Sequence, residues 1–106
     1  MQVVVDVGAE PATVTLEEPA DCKRFHVTVR GGGAAGALDQ ALRADAVGSL
    51  DGDGEALVHV EAVRRLAAGT VDETWESDFA AMLDYAGSKG WLSDDGASIR
   101  AHVERG

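Results

Sequence analysis

Residues 70–91 read TVDETWESDFAAMLDYAGSKGW, and this stretch decides the fold. Val71, Trp75, Phe79, Met82, Leu83 and Ala86 recur at helical spacing and form one apolar stripe. Thr70 with Glu73 matches a capping box, and Asp72 and Glu73 suit the positive end of the helix dipole. Lys89 and Gly90 supply a cationic residue and then a helix-ending glycine, after which Trp91 is placed to fold back on Ala86 or Tyr85. The spacing therefore predicts an amphipathic helix over 71–89. Its large side chains need a β-layer to cover, since each contributes roughly 1.5–3 kcal/mol when buried.

That layer is sought at the N-terminus. Residues 2–7 and 12–16 are rich in β-branched side chains and are separated by Gly8-Ala9-Glu10-Pro11, which predicts a hairpin. Over 23–29, Phe25, Val27 and Val29 alternate with Arg24, His26, Thr28 and Arg30. A period of two describes a strand with one buried and one wet face, which favours an antiparallel sheet. Leu38, Ala41, Leu42 and Ala46 predict a helix that Gly48 stops, and Asp51-Gly52-Asp53-Gly54 predicts a turn. Ala56 to Val60 reads as a fourth short strand, and Ala62, Val63, Leu66 and Ala67 as a short helix ended by Gly69.

The tail, 93–105, supports two readings. Leu92-Ser93 with Ala97 resembles a hydrophobic staple and N-cap, whereas Ile99, Ala101 and Val103 alternate with Arg100, His102 and Glu104. Helix is the reading taken. The expected architecture is α+β: one domain over residues 1–106, with a small antiparallel N-terminal sheet of three to four strands covered on one face by C-terminal helices.

Composition narrows the function classes. Nine Lys and Arg against 19 Asp and Glu give a formal charge of −10, with the basic residues scattered. Nucleic acids and anionic membrane surfaces demand clustered cations, so neither is an expected partner; basic proteins or cationic ligands suit this field better. One cysteine, Cys22, excludes an intrachain disulfide, and the absence of a signal-peptide pattern makes the cytoplasm the expected compartment. The 18 Ala, 13 Gly, single Ile and absent Asn reflect GC-rich codons, which devalue any glycine motif.

Several constellations carry conceivable chemistry. Gly31, Gly33 and Gly36 match a G-x-G-x-x-G turn between strand and helix, where backbone amides would cradle a pyrophosphate. The half-polar strand before it and the single strand-helix-strand unit favour an ordinary loop instead, so no cofactor is expected. Cys22 and His26 stand four apart, and with His102 or His59 offer thiolate and imidazole ligands for zinc, but no spacing pairs up as structural zinc sites do. Asp51, Asp53 and Glu55 begin like a calcium loop, which then fails at Ala56, His59 and Val60. No catalytic serine signature occurs among Ser77, Ser88 and Ser93. Trp75, Tyr85 and Trp91 are of the residue types that anchor interfaces, although their spacing equally suits a core.

The run Trp75-Glu76-x-Asp78-Phe79-x-x-Met82-Leu83-x-Tyr85-Ala86-x-x-Lys89-Gly90-Trp91, followed by Ile99-Arg100-Ala101-His102-Val103-Glu104, resembles a group of small uncharacterised actinobacterial proteins of unknown function. The resemblance extends to Glu18-Pro19-Ala20-Asp21-Cys22 and Phe25-His26-Val27, and departs at Arg105, where the group has an aromatic residue. It implies no activity, cofactor or partner. From the residues, the expectation is a small acidic interaction or regulatory module binding a protein or small ligand. The alternative is a small enzyme or metal-binding protein using His26, His102 and Cys22.

Overall fold

The structure, a computed structural model, describes residues 1–9, 12–22, 24–31, 35–52 and 54–105. Its elements run β1 (Gln2–Asp6), β2 (Thr13–Glu17), β3 (His26–Arg30), α1 (Ala35–Ala44), β4 (Gly48–Leu50), β5 (Glu55–His59), α2 (Val60–Ala67), α3 (Trp75–Ser88) and β6 (Ser98–Arg105). The architecture is α+β, but the sheet has six strands in the order β2-β1-β3-β6-β5-β4 and is mixed. β1 runs parallel to β3 and β3 parallel to β6, while β1–β2, β5–β6 and β4–β5 are antiparallel. This corrects the expected small antiparallel sheet.

Part of the difference lies in the C-terminal tail, which is a strand and not a helix, and part in the parallel pairing of β1 with β3. Ser93, expected as a helix N-cap, ties a hairpin turn with Asp95 instead: Ser93 Oγ donates to Asp95 Oδ1 at 2.6 Å, and the Ala97 amide donates to the same oxygen at 2.9 Å. Gly96 takes φ +71°, the left-handed conformation this reversal needs and L side chains resist. The returning strand then buries Ile99, Ala101 and Val103 and exposes Arg100, His102 and Glu104. It inserts between β3 and β5, so β3 is paired in parallel on both edges yet keeps one open face. A period of two reports that one face is covered; it does not report strand direction.

The covered face carries Val3, Val5, Val27, Val29, Ala56, Val58, Ile99, Ala101 and Val103, which form one cluster with side chains from all three helices. Leu38, Ala41 and Leu42 come from α1, Val60, Ala62, Val63 and Ala67 from α2, and Trp75, Phe79 and Ala86 from α3. Trp75 and Phe79, one turn apart, stack at 4.7 Å. The Trp75 indole donates to the Pro19 carbonyl at 2.6 Å, fastening α3 to the segment after β2.

Two helix boundaries also move. Thr70 does not box with Glu73; its hydroxyl donates to the Ala67 carbonyl at 2.8 Å and closes α2, while Asp72 accepts from the Thr74 amide at 3.1 Å and its hydroxyl at 2.7 Å. α3 therefore begins at Trp75. α1 ends at Ala44, before the expected Gly48, because Ala46 occupies the left-handed position at φ +54°. The Val47 amide donates to the Leu42 carbonyl at 2.8 Å and the Ala46 amide to Arg43 at 3.1 Å, the two bonds of a Schellman motif. Gly48 belongs to β4, where a side chain would run into the Leu57 carbonyl.

Candidate functional site

Helix α3 has a second stripe beside its core-facing one. Asp78, Ala81, Met82, Tyr85 and Ala86 follow the i, i+3, i+4, i+7, i+8 rule and share one side of the helix. Beneath that side lies a groove of about 600 Å³. Its opposite wall comes from Ala20, Cys22 and Phe25, the connection that Trp75 fastens through Pro19. Its end wall comes from Trp91, Ile99 and Arg100 in the C-terminal hairpin.

The helix terminus fixes Trp91. Its amide donates to the Ala86 carbonyl at 2.9 Å and the Gly90 amide donates to Gly87 at 3.2 Å, so α3 closes in the expected Schellman motif with Gly90 at φ +76°. Trp91 then meets Tyr85 edge to face, with ring centroids 5.8 Å apart and planes at 70°. The hairpin locks it from the other side, since the Arg100 amide donates to the Trp91 carbonyl at 2.6 Å. Tyr85 is 55% and Trp91 44% exposed, whereas Trp75 is 4% exposed within the core. Of the three aromatic residues expected at an interface, the structure brings Tyr85 and Trp91 together and assigns Trp75 to packing.

Charge in the groove is unevenly satisfied. Arg100 commits its guanidinium to Asp51, Nε to Oδ2 at 3.0 Å. On α3, Glu76 is held by Arg64 at 3.1 Å. Among the described residues, no hydrogen bond or ion pair engages the Asp78 carboxylate, which stands exposed at the rim. Burial pushes the Cys22 thiol up, and the Asp78 charge pushes it further. The thiol is therefore protonated at neutral pH and acts as a small apolar wall, its weak S–H reaching Pro19 O at 3.8 Å.

The remaining sequence candidates lie elsewhere. His26 and His102 are cross-strand partners on the open face of the sheet. His26 Nε2 sits 3.1 Å from Gln2 Oε1 and 3.6 Å from Glu104 Oε2, and Thr28 Oγ1 donates to the same Gln2 oxygen at 2.5 Å. Cys22 lines the groove, and neither histidine is among the groove's lining residues. His59 pairs with Ser98 at 3.1 Å. Among the described residues, no group of three His, Cys, Asp or Glu side chains is disposed to hold a metal ion. Gly31 ends β3 at φ +88° and lies against the Gly8 backbone, where a side chain would not fit. Gly36 is an exposed residue of α1, and Gly33 lies outside the described residues, as does Asp53 of the acidic turn.

Phe25, Asp78, Met82 and Arg100 line the groove without having been singled out as site residues. The signal for Asp78 and Met82 was present in the spacing of 78, 81, 82 and 85, adjacent to the core stripe. Phe25 and Arg100 owe their place to the pairing of β3 with β6, which no local pattern encodes. Comparison with protein-family models, curated proteins and solved structures found no match. No helix among the described residues is long and apolar enough to cross a membrane.

Proposed function

We propose that the protein is a small binding module whose ligand is a compact, largely apolar molecule seated in the groove under α3. The observation that carries this reading is the meeting of Tyr85 and Trp91. These are the exposed large hydrophobic side chains of the described residues, and both face one concavity. Exposed aromatic rings lose their unfavourable hydration when a ligand covers them, and Trp and Tyr order little on contact. A groove of about 600 Å³ lies within the range that small molecules occupy. Occupancy would bridge α3 to the C-terminal hairpin, two elements joined here by one short connection, which suits an interaction or regulatory role.

The alternative, a catalytic or metal centre built on His26, His102 and Cys22, receives less support because Cys22 lines the groove and the two histidines do not, and no group of three His, Cys, Asp or Glu side chains among the described residues is disposed to hold a metal ion. Titration with a neutral solvatochromic dye tests the binding reading. The full chain should take up one dye saturably, and Trp91→Ala should weaken uptake about tenfold, the effect of losing ~1.4 kcal/mol of aromatic contact. Circular dichroism should be unchanged. Equal uptake by Trp91→Ala, or none by the wild-type chain, would remove the basis of the reading.

A further inference from the structure

Among the described residues that line the groove, Asp78 carries a charge with no ion-pair partner, and that charge says what the ligand carries. Resting on the reading above, we infer that the groove selects an aryl- or alkylammonium ion, with the positive charge at Asp78 and the apolar body against Met82, Tyr85 and Trp91. Asp78 lies one turn before Met82 and two before Tyr85, so a molecule lying along α3 reaches all three from one side. Among the described residues these three ion pairs are already made: Arg100 with Asp51 at 3.0 Å, Glu76 with Arg64 at 3.1 Å, and the Met1 ammonium with Asp21 at 3.9 Å. Among the described residues, Asp78 is thus the groove-lining carboxylate left to a ligand.

Aromatic faces attract cations, and Tyr85 shows this within the chain, holding the Lys89 ammonium 5.5 Å from its ring centroid. The net charge of −10 adds an attraction for any cation and a repulsion for any anion. Burial first and the Asp78 charge second raise the Cys22 thiol, which keeps this wall of the groove uncharged beside Asp78.

Calorimetric titration of the full chain with 4-phenylbutylammonium, 4-phenylbutanol and 4-phenylbutanoate separates the inference from the reading beneath it. The ammonium should bind about tenfold more tightly than the alcohol, the sum of an exposed ion pair and a cation–π contact, and the carboxylate most weakly. Asp78→Asn should bring the ammonium to the level of the alcohol. Equal binding of ammonium and alcohol by the wild type, or an ammonium preference that survives Asp78→Asn, would overturn the inference and leave the groove as a binding site. Preference for the carboxylate would assign the charge contact to Arg100 and overturn it as well. Binding of none of the three would fail the groove reading and the inference together.

Discussion

Ala46 and Cys22 are the residues whose local chemistry departs furthest from what their type suggests. An L residue at φ +54° costs about 1–2 kcal/mol, and the buried contact between Leu42 and Val47 across the Schellman motif is what holds Ala46 there. Ala46→Gly should therefore raise stability by roughly 0.5–1 kcal/mol, after the entropy glycine adds to the unfolded chain, and lift the thermal midpoint by about 2–8 °C. An unchanged or lower midpoint would mean that Ala46 is not strained. Cys22 should alkylate with iodoacetamide at a midpoint above that of a free thiol, because burial first and the Asp78 charge second disfavour its thiolate. Asp78→Asn should lower that midpoint; a thiol titrating below the ordinary value would contradict this account of the groove's field. The strain at Ala46 was not legible in sequence, where Gly48 read as the helix stop, and Cys22 read as a small, partly buried cysteine ahead of a metal ligand. Gly48 is spent where a side chain would strike Leu57, and Cys22 lines a groove that neither His26 nor His102 lines.

At the scale of elements, α3 was legible because a 3.6-residue stripe and a C-terminal glycine are both local signals, and Trp91 closed it as its position implied. β6 was not. The tail supports a helix by its capping residues and a strand by its alternation, and what decides between them is a vacant slot between β3 and β5, a property of distant chain. Short β4 was hidden for the same reason, since three residues carry no period. β4 is held by Asp39 of α1, whose carboxylate accepts the Leu50 amide at 2.9 Å and Arg43 Nε at 2.8 Å. The Leu50 amide first and Arg43 second keep the Asp39 carboxyl below its ordinary value. A carboxyl lowered on folding stabilises the fold fully above its unfolded value of about 3.9, and that contribution is lost as pH falls through the lower folded value. Asp72 and Asp95, lowered by the Thr74 and Ser93 hydroxyls respectively, act in the same direction. Unfolding midpoints should thus fall as pH drops below about 4, and Asp39→Asn should flatten part of that slope; an unchanged slope would release Asp39 from this role.

Across the whole molecule, one layer of helices covers a six-stranded mixed sheet and leaves its other face to Gln2, His26, Thr28, His102 and Glu104. The α+β class followed from patterning, whereas the strand order did not, because pairing partners are chosen by fit over the entire core. The groove arises from the same choice: α3 is anchored at its start by Trp75 and Phe79, the next element, β6, carries Ile99 and Arg100 beneath its far end, and the opposite wall of Ala20, Cys22 and Phe25 comes from distant chain. The two tryptophans consequently report on different parts of the structure, one sealed in the core and bonded to Pro19, the other standing at the groove. Two-dimensional nitrogen–proton NMR of the full chain, titrated with 4-phenylbutylammonium, reads both indole signals at once. The Trp91 indole should shift progressively to saturation together with the Asp78 and Tyr85 amides, while the Trp75 indole stays fixed. Shifts at Trp75, shifts confined to the His26–His102 face, or no shift at any concentration short of denaturation would contradict a ligand site under α3.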